Sequence, residues 1–379
     1  MKYTFFFLSV FCLFGCTRDV LLNSEADILS VILPPDMLVG KPVITNTAVR
    51  IPTLAVSLAE KAQLGEQLQR LSLRFVLTEG AKIIDADDAR DFRQPQQYKV
   101  ISEDGKWSKT YTISFFPANL EIKFFDFSHY ETVETGGHKK YHEFYELIND
   151  VKFNVWASGN AGFAFTASAN DSPSTYPTFA VEGQTAAKLV TRSTGNFGAM
   201  ANMPLAAGNL FLGNFELSLA MSKPLEATQF GVRTTQNKPA KLAVRCKYKA
   251  GAEYTDRQGN KLQKQDAPNI YAVLYEAKTD NDGKHVKLNG TNIMSDNSIV
   301  CIAVLSTEQA NYIKVNNIES ENYKYIEIPF EERNPFDPEK QQAGKYYFTV
   351  VFSSSLNGDL FEGATGSTLC VDEVQIFDN

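Results

Sequence analysis

Tyr346-Tyr-Phe-Thr-Val-Val-Phe352, the turn run Ser353-Ser-Ser-Leu-Asn-Gly-Asp-Leu-Phe-Glu-Gly-Ala-Thr-Gly-Ser367, and Thr368-Leu-Cys-Val-Asp-Glu-Val-Gln-Ile376 decide the fold. The two outer runs are short, apolar and rich in β-branched and aromatic residues. The middle run is rich in Ser and Gly and carries Asn357 and Asp359. That is strand, turn, strand. Working outward, the same texture recurs in Phe153-Asn-Val-Trp, Phe163-Ala-Phe-Thr-Ala, Ala187-Lys-Leu-Val-Thr, Lys241-Leu-Ala-Val-Arg-Cys-Lys-Tyr, Asn269-Ile-Tyr-Ala-Val-Leu-Tyr, Ser298-Ile-Val-Cys-Ile-Ala-Val-Leu and Tyr325-Ile-Glu-Ile-Pro-Phe. No strong amphipathic helix longer than three turns interrupts them. Residues 118–379 therefore predict a two-sheet jelly-roll β-sandwich.

Upstream the pattern is also strand-like. Ser30-Val-Ile-Leu, Lys41-Pro-Val-Ile-Thr, Val49-Arg-Ile-Pro and Leu73-Arg-Phe-Val-Leu are each bounded by turn residues. Tyr98-Lys-Val-Ile-Ser and Thr110-Tyr-Thr-Ile-Ser-Phe read as a hairpin across Asp104-Gly105. Leu58 to Leu71 dissents, being rich in Ala, Glu, Gln, Lys and Leu, and predicts a short helix or turn. Pro117-Ala-Asn marks a boundary, so 28–117 predicts a small β-sandwich of its own. The fold class is all-β.

The chain has 379 residues, enough for more than one domain, and a net charge of −7 with no long basic stretch. That excludes a nucleic-acid partner, which needs a phosphate-neutralising patch. No later apolar run approaches the ~18 residues of a membrane helix. Cys246, Cys301 and Cys370 lie in apolar strands and read as small buried hydrophobes. No C-x-x-C pair offers a zinc ribbon.

The first residues carry a different signal. Lys2 precedes the apolar run Phe5 to Phe14, which is too short to span a bilayer. The run ends at Leu13-Phe14-Gly15-Cys16, which resembles a bacterial lipobox. The resemblance implies a signal peptide over 1–15, lipid on Cys16, and a tether over 16–27. Multiple acyl chains give stable anchoring. Thr17 is not the aspartate of an inner-membrane retention signal, which favours the outer membrane.

Two further resemblances follow from ordered motifs. Phe75-Val-Leu-Thr-Glu-Gly-Ala-Lys-Ile, Asp91-Phe92 and Tyr98 to Ile113 resemble the immunoglobulin-like spacer modules behind the lipid anchor of surface proteins in polysaccharide-using gut bacteria. Trp156-Ala-Ser-Gly-Asn-Ala-Gly, Tyr176-Pro-Thr, Ala206-Ala-Gly-Asn-Leu-Phe-Leu-Gly-Asn-Phe, Phe230-Gly-Val-Arg, Asp266-Ala-Pro-Asn-Ile-Tyr-Ala-Val-Leu and the 353–374 stretch stand in the order of the putative carbohydrate-metabolism domain family. An aromatic usual before Val-Asp-Glu is Cys370 here. The resemblance implies a jelly roll similar to carbohydrate-binding modules, and a glycan partner.

Chemistry can then be weighed residue by residue. Glycoside hydrolysis needs two carboxyls facing one bond. Asp359 with Glu362 is one pair, though Asn357-Gly-Asp reads as a turn. Asp372 and Glu373, adjacent on a strand, should point to opposite faces. There is no G-x-S-x-G elbow. His138 and His142 have a helical metal spacing but also fit a polar loop. A structural Ca2+ would use Asp126 and Asp372, and Asp280-Asn-Asp-Gly reads as a hairpin turn. A sugar needs an aromatic platform with polar partners. The candidates are Trp156 and Tyr176, with Arg192, Asn196 and Arg233; Trp156 also fits a core position beside Val155 and Phe153. The sequence thus predicts a lipid-anchored glycan-binding protein working beside other envelope proteins, ahead of an enzyme or a protein-binding adhesin.

Overall fold

The structure, a computed structural model, describes residues 22–55, 58–84, 89–117, 123–135, 139–148, 151–166, 172–180, 184–234, 237–281 and 285–378. Cys16, the leader and His138 lie outside these described residues. The chain is all-β and falls into two compact units. The described residues up to Ile51 with Gly65–Phe116 form one, and Pro52–Leu64 with Pro117–Asn379 form the other.

In the first unit, strands Val43–Ile44, Ala48–Thr53, Ser108–Pro117, Gln96–Ile101 and Lys82–Ile83 make one sheet, and Ile28–Ile32 pairs with Arg74–Leu77. Alternation does the sorting. Tyr98, Val100, Tyr111 and Ile113 are buried, and Tyr98 lies opposite Tyr111 in register. Gly105 takes φ +69° at the hairpin tip, a conformation glycine adopts without strain. Trp107 beside it is 65% exposed.

The segment expected to be a short helix or turn is a helix of 12 residues, α1 (Leu58–Gln69). Its Leu, Ala, Glu, Lys and Gln are strong helix formers with no β-branched residue among them. Leu64 and Leu68, four apart, are buried.

The second unit is a sandwich. The strands needed below are, in chain order, β1 (Thr175–Phe179), β2 (Thr185–Val190), β3 (Asn209–Phe215), β4 (Pro239–Lys249), β5 (Asn269–Glu276), β6 (Ile299–Val304), β7 (Lys324–Pro329), β8 (Tyr346–Ser353) and β9 (Thr368–Asp378). One sheet runs β1-β2-β9-β4-β7, and the centre of the other runs β3-β8-β5-β6. Their inner faces share a core. Leu242, Val244 and Cys246 of β4 and Leu369 and Val371 of β9 pack with Leu210 and Leu212 of β3 and Phe352 of β8. Each fully buried large apolar side chain stabilises by roughly 1.5–3 kcal/mol. Cys246, Cys301 and Cys370 are free, buried thiols. Burial pushes Cys301 up to about 12 and Cys370 up to about 11.

Two local readings are corrected. Phe163-Ala-Phe-Thr is not a strand, because α2 (Asn160–Thr166) occupies it, and Ala167 lies outside the described residues. Asn160 fixes that helix: its Nδ2 donates to the Thr175 carbonyl (2.6 Å) and its Oδ1 accepts from the Thr175 N–H (2.9 Å). Tertiary hydrogen bonds override the aromatic β preference. The second correction is in β9. Val371 pairs with Cys246 and Val374 with Val244, so Asp372 and Glu373 together stand against the single Arg245. This is a β-bulge. Val371 and Val374 both enter the core, which leaves the two carboxylates on one side rather than on opposite faces. Glu373 accepts from Arg245 Nε at 2.7 Å, and its charge acts on Asp372.

Candidate functional site

The outer face of the β3-β8-β5 sheet builds a cavity from register alone. Asn209 and Asn269 both pair with Ser353, one from each side, and Phe211 and Tyr271 both pair with Val351. Directly opposed residues share a face. The intervening Leu210, Phe352 and Ile270 point into the core. The floor is therefore a patch of two rows, Asn209–Ser353–Asn269 and Phe211–Val351–Tyr271, and all six line a cavity of about 230 Å3.

Walls come from short elements. α2 brings Phe163 and Gly162; a Cβ at 162 would sit 3.3 Å from the Phe215 ring, so the helix packs close. The turn after β8 brings Leu356, Asp359 and Phe361. Gly358 lets that turn press on Ala207, whose Cβ would lie 2.4 Å from an added Cβ. Asp266, 1% exposed, holds the turn from beneath. Its Oδ2 accepts from Ser355 Oγ (2.6 Å), Ser367 Oγ (2.7 Å) and the Ala364 N–H (2.8 Å).

The polar groups of the cavity divide into two kinds. Asn209 Oδ1 accepts from the Gly159 N–H (2.7 Å) and Ser353 Oγ donates to the Ser355 carbonyl (2.9 Å), so both serve the fold. The Asn269 amide and the Tyr271 hydroxyl make no hydrogen bond with the described residues and face the cavity. Burial drives the Tyr271 hydroxyl above the ordinary phenol range, and the Asp359 charge adds to it. Asp359 stands at the rim. Burial by its surroundings raises its carboxyl, the Glu362 charge adds, and the N–H groups of Asp359 and Leu360 oppose both. Asp359 is the one carboxylate lining the cavity among the described residues. An aromatic and apolar wall with a few unpaired polar groups is the usual make-up of a small-molecule site.

The residues singled out from the sequence separate. Trp156 is 5% exposed and packs on Phe125, Phe127 and Phe352, while its Nε1 donates to Glu146 (2.7 Å). No face of its ring is open, so it is a core residue and not a sugar platform. Arg233 is committed as well: Nε donates to the Gly344 carbonyl and Nη1 to Glu60, each at 2.7 Å. Asn196 is exposed on α3 (Gly195–Met200), outside the cavity wall. Tyr176 and Arg192 do meet, with the Arg192 Cζ 5.9 Å from the Tyr176 ring centre. They lie off the cavity, by the other sheet.

The proposed metal ligands fit poorly. Asp126 is exposed and its Oδ1 accepts from the Ser128 N–H (3.0 Å). Asp372 is 5% exposed with Oδ1 unpartnered, and burial raises it to about 6. The Asp126 charge acts on Asp372, yet no group of three or more His, Cys, Asp or Glu able to hold a metal forms among the described residues. Ca2+ takes six to eight oxygens, and this pair of carboxylates offers at most four. His142 lies on a strand, Lys139–Phe144, and not on a helix, and His138 lies outside the described residues. The strands flanking Asp280-Asn-Asp-Gly, Lys278–Thr279 and His285–Val286, pair as a hairpin.

The sequence reading missed Asn269 and Tyr271. A signal was present. Asn209-Leu-Phe-Leu and Asn269-Ile-Tyr-Ala both alternate a polar or aromatic residue with an aliphatic one.

Comparison with known proteins places these features. No curated protein matches the chain. A structure from Bacteroides thetaiotaomicron, described as a putative glycoside hydrolase, is 38% identical over 96% of this chain and 99% of its own, with a TM-score of 0.62. A second, from Bacteroides vulgatus and described in the same words, is 32% identical over 68% of this chain and 98% of its own, with a TM-score of 0.58. The model of the family described as "Putative carbohydrate metabolism domain" matches residues 126–377, the stretch that holds the whole cavity. The chain belongs to that family.

Proposed function

We propose that the protein binds glycan, with one sugar unit seated in the cavity over Phe211 and Tyr271. The observation that carries this is the pairing of an aromatic floor with the unpartnered Asn269 amide and Tyr271 hydroxyl. The half-buried rings of Phe215 and Phe361 in the cavity wall can cover the apolar C–H face of a pyranose, and the amide and hydroxyl pair its hydroxyls. The volume suits only a small unit, being below the ~300–1,000 Å3 of common ligand sites. The family and the two structural relatives support a carbohydrate ligand. The N-terminal lipobox-like run supports a lipid-anchored envelope protein with lipid on Cys16, at the outer membrane, beside other envelope proteins. The first unit then serves as an immunoglobulin-like spacer.

Hydrolysis is the second reading, favoured by the raised carboxyl of Asp359 and by the relatives' description. It asks for two carboxylates around the scissile bond, and Asp359 alone lines the cavity among the described residues. A glycan array on the full chain, with and without Ca2+, followed by reducing-sugar assays on each hit, decides between them. Binding without product, weakened by Asn269→Ala, supports capture. Product release abolished by Asp359→Asn supports the enzyme. No glycan bound at all refutes both.

A further inference from the structure

The second cluster of aromatic and charged groups lies on the outer face of the β1-β2-β9-β4 sheet. Register sets it out as a row: Tyr176 pairs with Lys188, Lys188 with Cys370, and Cys370 with Lys247. Ala187 and Leu189 point into the core, so this row points away from it. At the far end the Lys247 Nζ donates to the Glu321 carbonyl (2.8 Å) and lies 4.7 Å from the Tyr323 ring centre. The segment 319–323 therefore covers the Cys370–Lys247 half.

The Tyr176 end is built differently. The half-buried Tyr176 ring has two cations beside it, Lys188 Nζ and Arg192 Cζ, each 5.9 Å from its centre. Arg192 Nε is buried and has no acceptor. The guanidinium has no carboxylate within ion-pair reach among the described residues, and its hydrogen bonds are unspent. A buried charged donor without an acceptor is costly, and a carboxylate or sulfate is its natural complement. Lys188 has an acceptor, but a loosely held one: the side chain of Glu319, 70% exposed while Lys188 is 14% exposed. Glu319 thus occupies one cation as an internal carboxylate at the edge of the site. Two other carboxylates near the row, Asp372 and Glu321, lie toward Tyr323 and Lys247 rather than Tyr176.

We propose that Tyr176, Lys188 and Arg192 form a subsite for an acidic sugar, a uronate or a sulfated pyranose. Its ring lies on Tyr176 and its anionic group pairs with Arg192 and, by displacing Glu319, with Lys188. Tyr176 supplies contact for the apolar ring face, and the planar guanidinium supplies two parallel donors. The inference rests on the glycan-binding reading but uses neither the cavity nor its residues.

The test is calorimetric titration of the full chain with three probes: oligogalacturonate, a chondroitin sulfate oligosaccharide, and a neutral galacto-oligosaccharide, with sodium sulfate alone as the free-anion control. At least one acidic glycan is expected to bind more tightly than the neutral one, and increasingly so as salt is lowered. Arg192→Gln should weaken that binding about tenfold or more, the loss expected for a charge-assisted hydrogen bond. Arg192→Lys should fall between, and Glu319→Gln should tighten binding by freeing Lys188. Circular dichroism of each variant guards against misfolding, and the tightening by Glu319→Gln cannot come from a damaged fold. Equal affinity for acidic and neutral glycans, indifference to Arg192→Gln, or sulfate ion binding as tightly as the acidic glycan overturns the inference. Neutral binding that responds only to Asn269→Ala leaves the cavity reading standing and sinks this one. Acidic binding that responds to Arg192→Gln while Asn269→Ala changes nothing supports this subsite and removes the cavity from the function.

Discussion

Removing the carboxyl of Asp266 isolates what holds the cavity wall in place. Four donors converge on it: Ser355 Oγ, Ser367 Oγ and the Ala364 N–H on Oδ2, and the Ala267 N–H on Oδ1. In Asp266→Ala the Ala364 N–H, fully buried, is left without an acceptor. An orphaned buried donor costs about 1–3 kcal/mol. Ser355 Oγ can fall back on Thr191 Oγ1, 2.6 Å away, and Ser367 Oγ still accepts from the Gly251 N–H (2.9 Å), so each hydroxyl adds only about 1 kcal/mol or less. The sum is about 2–4 kcal/mol. At about 2–4 °C per kcal/mol for a domain of this size, the Tm of the second unit should fall by roughly 5–15 °C. Asp266→Asn keeps the volume but turns one acceptor into a donor, and should fall between. The readouts are calorimetry and hydrogen exchange. Amides of 353–367 should exchange faster in both variants, while the core strands keep their protection. Because that segment carries Asp359 and Phe361 into the cavity, ligand affinity should drop before the fold does. Variants that melt within 1–2 °C of the parent with unchanged exchange at 353–367 would mean that Asp266 does not hold this segment.

Other expectations follow from single groups. Trp156→Ala should destabilise by about 3–5 kcal/mol, since it empties an aromatic core site; a loss of glycan binding with unchanged Tm would mean that the ring is a platform after all. Glu146 is raised to about 7 and Asp372 to about 6, both first by burial. Folded pKa values above the unfolded ones mean stability is fullest below about pH 4 on this account and falls as pH rises through 6 and 7. Glu146→Gln still accepts from the Trp156 indole and should be more stable than the parent at pH 8, by about 1–3 kcal/mol, and equal to it at pH 4; a variant less stable at both pH values contradicts this. Cys246, Cys301 and Cys370 should resist a thiol reagent in the native protein and react in denaturant, and rapid native labelling at any of them would count against the packed core.

Much of this architecture was legible in the residues. Strands such as Ile299–Val304 and Tyr346–Ser353 announce themselves by continuous β-branched and aromatic content, because both of their faces are covered. What escaped depends on contacts distant in sequence. Phe163 sits in a helix because Asn160 bonds Thr175, and nothing local says so. Asp372 and Glu373 share a side because β9 carries one residue more than β4, a count that only pairing reveals. Of the residues named for the site by type, Tyr176 and Arg192 lie 5.9 Å apart (ring centre to Cζ), while Trp156 is buried, since an indole serves a core and a platform equally well by composition. The cavity floor needed three strands in register. Each strand alone shows only a parity, and the polar parity of β3 and β5 becomes a site only when β8 lies between them.

The proposed function places sugar in the cavity over Phe211 and Tyr271. Its most direct test is the affinity of the best-binding neutral glycan for the parent chain and for Tyr271→Phe, which removes one hydroxyl and leaves the floor aromatic. Loss of one neutral hydrogen bond predicts a drop of about three- to tenfold with the Tm unchanged. Equal affinity in the two proteins would place the glycan elsewhere and contradict the account.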